Sequence, residues 1–242
     1  MTGGCHRCNN ESIQKARKLT LMTRVIPCVL TLLSLSVNND AMKNFLGVLL
    51  LGISLQVARA EAPPALPEGG NPVVSADWIK KAALVQKAGQ ATKEEISVEG
   101  MPFTEALSVN VTEASEPAHR LSLQIPAHSP VVKGDILLLR FWVRRVAPEA
   151  EVWNSLSFQK ATEPYDRSVT ATLKLTSGEW TCLDVPFVAR YDHPKGDAML
   201  ILTLGSAIQT LEIGGIELLN FGADKKIDDL PPSTLPANRI KN

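Results

Sequence analysis

Apolar side chains recur at every second position in one stretch after another between residues 96 and 218. Leu107, Val109 and Val111 alternate with Ser108 and Asn110, and Leu121, Leu123 and Ile125 alternate with Ser122 and Gln124. In residues 135–146, Leu137, Leu139, Phe141 and Val143 share one face; in residues 153–160, Leu156 and Phe158 do. Residues 169–175 form a weaker stretch, and in residues 180–190 Leu183, Val185 and Phe187 are in phase. Residues 198–204 are apolar on both faces, as a central strand would be, and residues 210–218 complete the series. A period of two is the strand period, because successive side chains leave opposite faces of the pleat. About eight short strands, divided by turn signals and with almost no helical period between them, predict an all-β antiparallel β-sandwich, a jelly roll. In the last strand Leu211 and Ile213 agree in phase while Ile216 and Leu218 are one residue out, which predicts a β-bulge at Gly214-Gly215.

The flanks read differently. Residues 61–76 are rich in Pro, Ala and Gly and are expected to be a linker. Trp78, Ala82 and Val85 have helical spacing, so one short helix is expected over residues 78–87 with Asp77 as its cap. Residues 61–95 are therefore assigned to linker and helix, and 96–222 to the sandwich. Residues 223–242 carry Lys225-Lys226, Asp228-Asp229 and three prolines without an apolar period, and are expected to be a flexible tail.

The N-terminus carries a targeting pattern. From Met42, Lys43 supplies a positive charge, residues 45–55 are almost wholly apolar, and Ala58-Arg59-Ala60 places small residues where a signal peptidase reads. The apolar run is shorter than the ~20 residues of a bilayer span, so no stable membrane span is expected there. A second apolar run over residues 25–37 is broken by Pro27. The expectation is a true start at Met42 followed by a signal peptide ending at Ala60; the alternatives are one long targeting region or two membrane segments. The protein is then secreted, or held in the periplasm or cell envelope.

Residues 1–60 hold seven of the 25 Lys/Arg and two of the 25 Asp/Glu, which leaves residues 61–242 with a net charge of −5. The basic residues form no block, so no nucleic-acid partner is expected. Cys5 and Cys8 have the spacing of half a zinc site with no second pair to complete it. Cys182 is the one cysteine of residues 61–242, which excludes an internal disulfide there and reads as a small half-buried strand residue.

Alternation also assigns the outward faces. Arg140, Trp142 and Arg144 fall outward on one strand; Trp153, Ser155, Ser157 and Gln159 on the next; Trp180, Cys182 and Asp184 on a third. An indole can stack on the C–H face of a sugar ring while Arg and Gln bond its hydroxyl rim. The candidate ligand-binding residues are therefore Trp142, Trp153, Arg140, Arg144 and Gln159, with polysaccharide as the partner. The alternative is that such tryptophans are covered by a loop or an N-terminal arm, the preferred reading for Trp180, and that the arginines are surface charges paired with nearby acids.

Four segments carry a family resemblance: residues 98–107 (VEGMPFTEAL), 132–144 (VKGDILLLRFWVR), 179–187 (EWTCLDVPF) and 211–222 (LEIGGIELLNFG). Together they resemble galactose-binding-like jelly-roll carbohydrate-binding modules, of the type found N-terminal to family 10 xylanase-like glycoside hydrolases. The resemblance covers roughly residues 72–222. It implies a non-catalytic module recognising a plant-type or other polysaccharide, with a catalytic partner encoded separately or a truncated N-terminal part of a glycoside hydrolase as alternatives. A structural or protein-interaction sandwich without sugar binding is the third reading. Many members hold a structural calcium near the first and last strands. Here Gly214-Gly215 stands where a calcium-binding Asp is often found, with Glu99 or Glu217 left to contribute, so no cofactor is assigned.

No nucleophile elbow, zinc-protease motif or phosphate loop is present. His119, His128 and His193 lie in turn-like contexts without metal spacing. Asp184 and Glu217 lie on strands as carboxylates, but nothing in the sequence brings them together as a glycosidase pair. No catalytic residue is assigned.

Overall fold

The alternating stretches build two antiparallel sheets packed face to face. A computed structural model describes residues 63–147, 151–175 and 178–241. The signal-peptide reading at Met42 and the Cys5/Cys8 reading lie outside the described residues.

In chain order the strands are β1 (Asn71–Pro72), β2 (Ala83–Gln86), β3 (Gln90–Ser97), β4 (Glu105–Glu113), β5 (Leu121–Pro126) and β6 (Ile136–Ala147). They continue as β7 (Val152–Lys160), β8 (Arg167–Leu175), β9 (Thr181–Val188), β10 (Ala198–Thr203), β11 (Gln209–Asn220) and β12 (Ile240–Lys241). Sheet one has the order β3-β4-β11-β6-β9, with β1 also paired to β11; sheet two has the order β12-β8-β7-β10-β5-β2. This is the expected jelly-roll sandwich. The residues that alternation turns inward meet between the sheets: Leu107, Val109, Phe141, Val185, Leu211 and Leu218 from one side, Leu123, Phe158, Leu173 and Leu200 from the other. Each such side chain contributes roughly 1.5–3 kcal/mol through its removal from water.

The phase slip in the last strand is a bulge. The register of β11 against β6 shifts between Gly214 and Glu217. Gly215 has φ +54°, and a Cβ there would sit 2.8 Å from Phe103 Cδ1 and 3.0 Å from Trp142 Cδ1. Glycine is thus required twice, by the backbone conformation and by the aromatic rings lying on it.

Three boundary expectations are corrected. Residues 63–95 are not only linker and a helix of ten residues. The helix α1 spans only Trp78–Lys81, and Ala82 turns to φ −64°, ψ 127°, extended backbone. Trp78 and Ala82 are buried as their spacing implied, but Val85 belongs to β2, where it pairs with Ser122 of β5. Asp77 makes no capping bond; its carboxylate accepts from Ser75 and pairs with Lys81 at 2.8 Å. β3 was hidden because its only buried residue is Ala91; Lys93, Glu94 and Glu95 give it the charged character of an edge strand.

Residues 223–241 are likewise not a free tail. Leu230 is 5% exposed and packs with Ile136 and Leu138 on the outer side of sheet one. Leu235 is 8% exposed and joins the main core. Between them the Thr234 amide donates to the Asp184 carbonyl at 3.1 Å, and the Asp184 amide donates to Thr234 Oγ1 at 3.0 Å. Ile240 and Lys241 then pair with Ala171 and Thr170 of β8. β9 ends sheet one, and β8 would otherwise end sheet two, so the segment is a strap along the open side of the sandwich. It was illegible because its apolar residues meet their partners singly, with no period.

His193 lies between the strands, 1% exposed, with Nε2 2.9 Å from Ser168 Oγ and its ring edge-on to Phe158. Burial lowers its pKa from the usual 6.5, against smaller raising effects of Asp197, Asp166 and Asp192 and a small lowering effect of Lys160. The unfolded chain therefore binds the proton more readily. This contribution to stability is complete above about pH 6.5 and is lost as pH falls through that value toward the lower folded pKa. Urea midpoints measured about one pH unit either side should fall more in the wild type than in His193→Gln. Equal losses would remove His193 from the acid sensitivity.

Candidate functional site

The outer face of sheet two is concave, and its floor follows directly from strand register. Thr170, Ser157, Ile201 and Gln124 are cross-strand neighbours in one row over β8, β7, β10 and β5. Gln159 and Met199 lie beside them in the next row, with Arg167 paired to Gln159. Ser155, Thr203, Ser122 and Val85 form the row on the other side. Met199 and Ile201 are the outward residues of β10, the strand that reads as apolar on both faces. They make an apolar strip through an otherwise hydroxyl- and amide-bearing floor.

Loops raise the walls. Tyr165 comes from the turn joining β7 to β8 and Arg167 opens β8; Ala118, His119 and Arg120 come from a short 3-10 turn before β5; Lys87 follows β2. The Lys87 amide donates to the Arg120 carbonyl at 2.8 Å, which holds these two residues side by side. The cleft so enclosed measures about 870 Å³. On its floor Gln159, 5% exposed, accepts on Oε1 from Ser157 Oγ at 3.0 Å and from Arg167 Nε at 2.9 Å. Its amide nitrogen has no hydrogen-bond partner among the described residues. That amide is a fixed donor in the cleft.

The five residues expected to bind ligand are divided between the two sheets. Gln159 lines the cleft. Trp153 shares its face of β7 but lies toward the strand's start, outside the cleft lining, and is 45% exposed. Arg239 of the strap stands 4.9 Å from its ring centroid and Lys174 5.7 Å, so cations engage the indole. Trp142, Arg140 and Arg144 are on β6, on the far side of the molecule. Trp142 is half-buried beneath Phe103, at 6.3 Å between centroids, and Phe103 meets Trp180 edge-on at 5.3 Å. Arg144 stacks on Trp180 at 4.9 Å and donates to Glu212 at 2.7 Å.

Arg140 is no surface ligand. It is 6% exposed and donates to both oxygens of Asp184, at 2.6 and 2.7 Å, and to the Pro64 carbonyl at 2.6 Å. That pairing raises its pKa above the usual value. The physical reason for the division is that β6 and β7 are consecutive in sequence but belong to opposite sheets. Alternation tells outward from inward and is silent on which outside. Ser122 and Gln124 are visible as outward residues of β5; Tyr165, His119 and Arg120 give no periodic signal, being in turns, and Arg167 stands at the start of β8, ahead of its apolar period.

Cys182 is half-buried beside Trp142, and burial, then the Asp184 carboxylate, push its thiol up to about 11, so it stays protonated at neutral pH. Among the described residues no three His, Cys, Asp or Glu side chains gather as a metal set, and Glu99 and Glu217 are both exposed and belong to no such group. Among the described residues no helix is long and apolar enough to cross a membrane.

No family model matches the sequence, and no curated protein matches it. Among solved structures, the chain is similar to one of a CBM4 domain, with 16% identity and a TM-score of 0.47 over 60% of this chain and 97% of the other. It is also similar to the CBM22-1 xylan-binding domain from Paenibacillus barcinonensis Xyn10C, with 13% identity and a TM-score of 0.42 over 58% and 85% of the two chains. A third is the CBM22-1-GH10 portion of Clostridium thermocellum xylanase 10B complexed with xylohexaose, at 15% identity and a TM-score of 0.43, covering 62% of this chain and 27% of that one.

Proposed function

We propose that this chain is an exported, non-catalytic carbohydrate-binding domain that holds a polysaccharide strand in the cleft of sheet two. The observation that carries the reading is the chemistry of the floor: an apolar strip of Met199 and Ile201 flanked by Ser157, Gln159, Gln124 and Thr203, with Tyr165 on the wall. A pyranose presents an apolar C–H face and a rim of hydroxyls, which such a surface matches group for group. Ligand sites in general combine an apolar lining with a few fixed polar groups, as here. Export is part of the proposal, since extracellular polymers are met outside the cell; N-terminal sequencing of the mature protein should then give Glu61 as its first residue.

The test is affinity electrophoresis of the purified protein in gels containing xylan, mixed glucans or pectin. The wild type should be retarded by at least one of them. Tyr165→Ala/Gln124→Ala should lose about tenfold or more in affinity, worth about 1.4 kcal/mol or more. Trp142→Phe, on the opposite sheet, should bind as the wild type does. Retardation by no polymer, or equal retardation of the cleft variant, would sink the proposal.

A further inference from the structure

The charged side chains lining the cleft are all of one sign. Among the described residues, five cations are paired with carboxylates: Lys81 with Asp77, Arg140 with Asp184, Arg144 with Glu212, Lys160 with Asp197 and Lys174 with Glu151. Among the described residues the cleft is lined by Lys87, Arg120 and Arg167, with His119 beside them and no Asp or Glu. None of these three cations is in an ion pair among the described residues. This excess of one sign is not a by-product of a basic protein, because residues 61–242 carry a net charge of −5.

The hydrogen-bonding roles are equally one-sided. Arg167 is oriented through Nε by Gln159, at 2.9 Å, and its two terminal nitrogens make no bond among the described residues. The Gln159 amide nitrogen, on a nearly buried side chain, is a second donor with no partner. Lys and Arg are donors only. A neutral sugar hydroxyl both donates and accepts, so a neutral chain has no special match to three unpaired cations. A carboxylate offers two acceptor oxygens and a charge, and a guanidinium fork meets it with two parallel bonds.

Resting on the polysaccharide reading above, we infer that the cleft selects a carboxylated polysaccharide, one built from or substituted with uronic acids. Arg167, Arg120 and Lys87 take the carboxylates, and the Met199–Ile201 strip with the neutral serines and glutamines takes the pyranose rings. Single-stranded nucleic acid is another extended polyanion. Its recognition rests on bases stacked over successive aromatic rings. Among the described residues Tyr165 is the only Phe, Tyr or Trp in the cleft lining, which favours the glycan.

The experiment is titration calorimetry of the full chain with polygalacturonate, alginate and glucuronoxylan. The matched controls are carboxyl-reduced polygalacturonan, unsubstituted xylan and a single-stranded DNA oligonucleotide. Each is measured at low and at physiological ionic strength. At least one carboxylated polymer should bind about tenfold or more tighter than the neutral polymers, with that margin shrinking as salt screens the exposed cations. Lys87→Gln/Arg120→Gln/Arg167→Gln, its fold checked by melting temperature, should lose the margin and bind acidic and neutral chains alike. If the neutral polymers bind as tightly as the acidic ones and the triple variant behaves as wild type, the uronate inference falls while the polysaccharide reading stands. If no polymer of either kind binds, both fall. DNA binding as tight as that of the best uronate also overturns the inference.

Discussion

Removal of residues 223–242 is expected to unfold the protein at a temperature about 10–20 °C lower than the intact chain, on the basis of ~2–4 °C per kcal/mol for a domain of this size. The strap buries Leu230 and Leu235, and loss of one buried leucine side chain costs about 2–5 kcal/mol. Its loss also frees the edge of β9 at Asp184 and the edge of β8 at Ala171. An unpaired strand edge beside exposed leucines is a template for association, so the truncated protein should also aggregate on heating. Leu235→Ala isolates the packing part and should account for a fraction of the effect, about 2–5 kcal/mol by urea denaturation. A truncated protein that melts with the intact one would mean that the strap merely rests on the sandwich.

The second large effect belongs to the Arg140–Asp184 pair. Both side chains are buried, and each end of the guanidinium fork has a carboxylate oxygen. Asp184→Ala leaves a buried cation without its counter-charge and should destabilise by about 3–5 kcal/mol. Arg140→Met/Asp184→Leu removes both charges together and should cost far less, because the desolvation of the pair offsets most of its attraction. Urea denaturation of the two variants beside the wild type reads the difference directly. Because Asp184 also anchors Thr234 through its backbone, which these substitutions keep, the strap should remain docked in both variants. Similar losses in the single and double variants would show that the site needs these two side chains for shape rather than charge.

Both effects arise where sequence reading was weakest. By alternation Arg140 is an outward arginine on the face of Trp142. It is outward from the main core, yet its guanidinium is covered by the Pro64 carbonyl and by Asp184, whose backbone the strap holds; neither covering segment has an apolar period that would announce it. The same error of neighbourhood joined Trp142 to Trp153. They are eleven positions apart and on adjacent strands in sequence, but the chain crosses between sheets after β6, and the two indoles face opposite sides of the molecule.

What the sequence by itself determined is the set of strands from β4 to β11, their inward residues, the bulge at Gly214-Gly215 and the central place of β10. These follow from side chain period, a local property that survives without knowledge of partners. The outward residues Ser157, Gln159, Ser122 and Gln124 were also legible one strand at a time. Only the tertiary structure decided which strands share a sheet, and hence that these residues meet Met199, Ile201, Tyr165 and Arg167 in one cleft. It alone recruited β2, β3 and the C-terminal strap, whose few apolar residues find their partners far away in the chain. Period is written residue by residue, whereas sheet order is a matter of long-range pairing, and no single strand carries it.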